Sequence, residues 1–273
     1  MKTGFITVGM LLVATCGFGQ QPGAGETPGI QDNSFLLEEA YNQEAGVVQH
    51  ISFFERSFDG AGWVYAFTQE WPFRGLRHQV SLTLPIQDTG SAGSTGVGDV
   101  ALNYRYQVLG DGAARLAVTP RLSLLVPSGS SQKGLGTGGA GIQAGLPLSW
   151  AASSRLTLHT NAGFTHTPSA QNALSAEAAA SAFSLGQSAI AIVSPRFNLM
   201  LEAVWSRAQS VTDKGRTEWS ESAYLSPGIR WAHNLSNGLQ IVPGVAVPIG
   251  IGPSKGDNGL LLYLSFEHAF RKR

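Results

Sequence analysis

Cysteine is nearly absent from the 273 residues: Cys16 stands alone, so no disulfide framework can form within the chain. Charge is scarce as well. The 18 basic and 18 acidic side chains make up 13% of the sequence, where an ordinary soluble domain carries about 25%. They cancel, and a net charge of zero argues against a nucleic-acid partner. Long hydrophobic runs are missing too. Outside residues 5–18 nothing approaches the roughly 20 consecutive apolar residues that a membrane-spanning helix needs. The early run follows Lys2 and ends in Gly17-Phe18-Gly19, the layout of a secretory signal peptide. We therefore expect residues 1–19 to be a leader removed after Gly19. A lipidated Cys16 is the alternative, although Thr15 is a poor residue to precede it. What is abundant is glycine, 34 residues or about 12%, against a usual level of roughly 7%.

An export signal with little charge and no surplus of apolar residues points to an all-β fold, a transmembrane antiparallel up-and-down β-barrel. In such barrels apolar residues face lipid and polar ones face the lumen, alternating along strands of roughly ten residues. The alternation is present. Val100, Leu102, Tyr104, Tyr106 and Val108 fall on one face, and Asp99, Ala101, Asn103, Arg105 and Gln107 on the other. Leu116, Val118, Leu122, Leu124 and Val126 oppose Arg115, Thr119, Arg121 and Ser123, and Val80, Leu82, Leu84 and Ile86 oppose Gln79, Ser81 and Thr83. Reading on in this way gives about twelve strands, near 48–58, 62–72, 77–86, 97–109, 114–127, 138–151, 156–166, 176–193, 197–209, 218–232, 239–249 and 260–270. The run Glu177-Ala178-Ala179-Ala180 could instead be a helical turn.

Apart from the first link, 59–61, which is short on the outer side, the links between these strands alternate short and long, as periplasmic turns and outer loops do. On this topology Trp63, Trp205 and Trp219 lie near outer strand ends and Trp71, Trp150 and Trp231 near periplasmic ends, the positions of aromatic girdles. The last strand ends in the aromatic Phe270, as outer-membrane strands commonly do, although Arg271-Lys272-Arg273 follow.

Three stretches carry a family likeness. They are Glu38-Glu39-Ala40-Tyr41-Asn42-Gln43-Glu44 with Gly46-Val47-Val48-Gln49-His50, then Gly96-Val97-Gly98-Asp99-Val100 leading to Leu102-Asn103-Tyr104-Arg105-Tyr106, and Thr119-Pro120-Arg121-Leu122 running through Pro127-Ser128-Gly129 to Gly134-Leu135-Gly136-Thr137-Gly138. With them the sequence resembles the outer-membrane proteins grouped with the meta-pathway of phenol degradation. The resemblance implies a barrel in the outer membrane, with transport of a small hydrophobic or aromatic solute. Outer-membrane lipid and the barrel assembly machinery would then be its partners. It supplies no binding residues.

By parity, nine charged side chains are candidates to line the lumen: Glu70, Arg77, Asp99, Arg105, Arg115, Arg121, Glu202, Arg230 and Glu267. They could pair across the lumen and hold it partly shut, or form a selectivity ring. Asp99, between glycines, could instead serve a turn. Residues 47–270 would form the barrel and 20–46 a periplasmic N-terminal segment. That segment is either a loose tail or a short plug in the barrel mouth anchored by Phe35-Leu36-Leu37. His50 and Ser52 share a face, but their surroundings do not match the outer-membrane phospholipases. No lipase elbow, metal-ligand spacing or cofactor motif occurs. A passive channel, a membrane-embedded hydrolase and a structural or adhesive barrel are the three functions to weigh; with only the His50–Ser52 pair for an enzyme and outer loops of roughly ten residues for an adhesin, the channel is what remains, and the resemblance implies it.

Overall fold

The computed structural model describes residues 30, 32–58, 62–90, 94–110, 114–212, 215–236 and 239–269. The expected leader at 1–19 and Phe270 lie outside the described residues. Twelve antiparallel strands close into a barrel: β1 (Val47–Ser57), β2 (Trp63–Pro72), β3 (His78–Asp88), β4 (Thr95–Val97 and Val100–Tyr106), β5 (Leu116–Val118 and Arg121–Val126), β6 (Gly141–Ser153), β7 (Leu156–Gln171), β8 (Glu177–Ser194), β9 (Phe197–Val211), β10 (Thr217–Trp231, continued by His233–Asn234), β11 (Gln240–Ala246 and Ile249–Gly250) and β12 (Gly259–Ala269). Each strand pairs with its neighbours in sequence, and β12 pairs with β1 from Val47↔Ala269 to Ser57↔Gly259, which completes the ring.

The breaks have chemical causes. β4 steps out of the ladder at Gly98-Asp99, where the Asp99 carboxylate accepts hydrogen bonds from the backbone N–H of Gly129 (3.0 Å) and Thr137 (2.7 Å). β5 breaks at Thr119-Pro120 and β11 at Val247-Pro248, where proline has no N–H to give the ladder. The Glu177–Ala180 run is strand, paired with β7 from Glu177↔Gln171 onward, so the helical alternative is excluded. β7 runs on to Gln171, which narrows the loop expected at 167–175, and β7 to β10 reach 15 to 18 residues while the pieces of β4 and β5 stay short.

Alternation decides what each wall presents. Leu102, Leu122, Leu124, Ile142, Leu146, Leu201 and Leu262 are exposed on the outside, while their polar neighbours Asn103, Arg121, Ser123, Gln143, Glu202 and Ser265 are buried inside. An apolar exterior around a polar interior reverses the soluble pattern and is what a bilayer requires. All six tryptophans fall on outward positions of their strands, with Trp150, Trp219 and Trp231 the most exposed.

Candidate functional site

The interior is occupied. Residues 32–43 form a belt without regular secondary structure that runs around the inner wall near the short-turn end of the barrel. The two possibilities left open for this segment, loose tail or plug, are thereby separated: Phe35 and Leu37 are fully buried, as are Asn33, Ser34 and Ala40.

Because the belt makes no ladder of its own, wall side chains satisfy its backbone. The Glu202 carboxylate on β9 accepts from the N–H of Phe35 (3.2 Å) and Leu36 (2.9 Å). On β7, Asn161 accepts from the Glu38 N–H (2.9 Å) and donates back to its carbonyl (2.8 Å). Ser149 on β6 accepts from Ala40 (2.7 Å), and Gln79 on β3 from Gln43 (2.7 Å). The carbonyls are met by cations and hydroxyls. Arg230 on β10 donates to Asp32 and Asn33, Arg105 on β4 to Glu39, and Thr119 to Ala40. Side chains add an ion pair, Arg121 to Glu38 at 2.5 Å with both fully enclosed.

The belt starts and ends at the same strand. At one end the Asp32 carboxylate receives Tyr263 (2.7 Å) and Ser265 (2.5 Å) of β12, and at the other Gln43 donates to Glu267 of β12 (3.4 Å). Between them, residues 32–37 touch β8, β9 and β10, and residues 38–43 touch β3 to β7. Its apolar residues fit recesses in the wall. Phe35 lies where Cβ atoms on Gly228 and Gly244 would overlap its ring, and Leu37 where one on Gly186 would. Phe35 joins Ile51, Phe53, Ile190, Met200, Leu261 and Tyr263 in one apolar cluster within the lumen.

Six of the nine candidates thus come together around the belt. Arg105, Arg121, Glu202, Arg230 and Glu267 hold it directly, and Glu70 supports Gln79, whose amide donates to it at 2.7 Å. The other three stand elsewhere. Asp99 pins the outer loop through Gly129 and Thr137. Arg77 is exposed in the turn after β2, and Arg115 is exposed and donates to the carbonyls of Ala151 and Ala152 (3.2 and 2.9 Å). The nine charged candidates leave out Gln79, whose inward position the alternation shows, Ser149 and Asn161, which also lie on inward positions, and Asp32 and Glu38 in a segment with no alternation to read. His50 and Ser52 both face outward but have separate partners, His268 (3.2 Å) and Tyr65 (3.1 Å).

On the periplasmic side of the belt lies a cavity of about 150 Å³, lined by Ile30, Asp32, Glu39 and Tyr41 from the belt side and by Ala114 and Arg115 ahead of β5, Ala151 on β6 and residues of β7 to β10 from the wall.

Solved structures share this architecture. The COG4313 outer membrane channel from Pseudomonas putida F1 matches with a TM-score of 0.66 at 12% identity, over 85% of this chain and 98% of that one. The NanC porin matches with a TM-score of 0.52 at 10% identity, over 80% and 98%. A search of curated proteins finds no match. These likenesses establish the fold, that of an outer-membrane barrel. A family model described as "Putative MetA-pathway of phenol degradation" matches residues 20–251, most of the chain, and the protein belongs to that family.

Proposed function

We propose that the protein is an outer-membrane channel through which small hydrophobic or aromatic solutes pass by passive diffusion. The observation that carries this reading is the belt. A general porin for ions and sugars keeps an aqueous lumen, whereas here a covalently attached segment spans the interior and brings Phe35 and Leu37 into an apolar cluster with wall residues. A solute that crosses must move along or displace apolar side chains, which favours compounds that gain by leaving water. The belt's hydrogen bonds to the wall hold it in place as a constriction. The family description and the fold of the two channels support the same reading.

Liposome swelling with purified protein tests it. Phenol, toluene and benzyl alcohol should enter faster than glucose or arabinose of comparable size. Equal rates for sugars and aromatic solutes would overturn the preference.

A further inference from the structure

We propose that the lipid-facing side of β7 and β8 is the contact surface of a homodimer, in which Gln187 of one barrel meets Gln187 of a second copy across a twofold axis. Gln187 is mid-strand in β8, pairs with Thr160 on β7 and is exposed on the outside with it. Along these strands Phe183, stacked on Trp219, stands toward the outer end, and Trp150, paired with Leu158, toward the other. The two polar residues therefore sit between the aromatic girdles, at hydrocarbon depth. The Thr160 hydroxyl donates to the Gln187 side-chain oxygen at 2.7 Å, and the Gln187 amide nitrogen donates to the Ser188 carbonyl at 3.0 Å. A primary amide has two N–H groups, and each of these oxygens has two lone pairs. One N–H and acceptor capacity on both oxygens are thus left over. Acyl chains offer nothing to bond them, and a polar group left unbonded in hydrocarbon is costly.

A second copy supplies what lipid lacks. An amide is donor and acceptor at once, so two of them related by a twofold axis satisfy each other reciprocally, the N–H of each on the oxygen of the other. The surrounding surface lets two walls come close. Ala189 is the next outward residue below Gln187, Ala203 on β9 is paired beside it, and Ala162 is the next outward residue above Thr160. The opposite exterior is bulkier. Outward positions of β1 to β5 carry no alanine and present Phe54, Tyr65, Phe67, Leu82, Leu102 and Leu124 instead. Small residues around a polar one are what allow membrane-embedded surfaces to approach and bond, as between membrane helices. The inner side of the same wall carries the belt: Ser188 accepts from Ser34 at 2.6 Å, Asn161 holds Glu38 and Glu202 holds Phe35. A second barrel outside braces the strands to which the belt is tied.

Sedimentation equilibrium of the purified full-length protein in density-matched detergent micelles reads the association directly. A monomer–dimer equilibrium is expected. Gln187→Leu, which keeps the size and apolar fit but removes the amide, should raise the dimer Kd by about tenfold, and Ala203→Trp should abolish the dimer. Leu82→Trp on β3 should associate like the parent chain, and the electrophoretic shift checks that each variant folds. In outer-membrane fractions, on a Cys16→Ser background, Gln187→Cys should form disulfide-linked dimers on mild oxidation, whereas Leu82→Cys should not. A protein that stays monomeric at every concentration would overturn the proposal. So would a dimer that Gln187→Leu and Ala203→Trp leave unchanged, or one cross-linked through Leu82→Cys and not through Gln187→Cys.

Discussion

Arg121 and Glu38 meet at 2.5 Å with neither side chain open to solvent. Removing one partner of such a pair leaves a charge enclosed without its counterion, which costs about 3–5 kcal/mol. Arg121→Gln should therefore lower barrel stability by that order, measured as the urea midpoint of the electrophoretic shift between folded and unfolded forms. Arg121→Gln with Glu38→Gln should recover most of the loss, since neutral amides can still bond to each other. Arg105→Gln with Arg121→Gln acts on the belt as well, because Arg105 donates to the Glu39 carbonyl. Planar-bilayer recording of that double variant should show higher conductance and a shift toward cations, as Glu38, Glu39, Glu70 and Glu202 then outnumber the remaining lumen arginine, Arg230. Unchanged conductance in a folded protein would show that the belt does not set the passage.

At the scale of the element, the belt and a strand face differ in how they are specified. β4 needs only alternation: Leu102 faces out because Asn103, buried and donating to Ser81 and Thr83, faces in. Leu102→Arg should cost about 2–4 kcal/mol near the bilayer midplane, by the same urea assay, while Leu102→Phe should be close to neutral. Twelve strands were legible in the sequence for this reason, within a few residues at each end. Parity misleads at strand ends, where the chain leaves the ladder. Arg77 and Arg115 have the parity of inward residues, yet both are exposed beside turns. The belt has no period at all. Several of its contacts join residues more than 100 positions apart, as in Ala40 to Ser149 and Leu36 to Glu202, and nothing local announces them. The one local sign is the apolar trio at 35–37, and its recess is formed by inward glycines that read as ordinary strand residues. Gly186→Val should push Leu37 out of place and speed phenol uptake by liposomes while leaving the barrel folded, because the β8 ladder on both sides is backbone-made.

For the whole molecule, orientation is the property to check. The loop after β5, with Gln132, lies at the long-loop end, and Ser236 is exposed in the turn after β10 at the other. On a Cys16→Ser background, Gln132→Cys should react with an impermeant thiol reagent on intact cells, and Ser236→Cys only after the outer membrane is opened. Labelling in the reverse order would invert the barrel.

The belt's return to its starting strand fixes a length. Eleven peptide steps from Asp32 to Gln43 extend to about 40 Å at most. Twelve strands spaced about 4.8 Å apart and tilted about 40° make a cylinder of roughly 12 Å radius. Inside it, a track set in by one side chain, at roughly 6 Å, is again about 40 Å around. The segment is thus an internal gauge of circumference, cut for twelve strands. A barrel of ten would leave it slack, and one of fourteen would stretch it past closure. A single glycine inserted between Glu39 and Ala40 should accordingly cost one half of the ring its register, with either the Asp32–Ser265 or the Gln43–Gln79 end released.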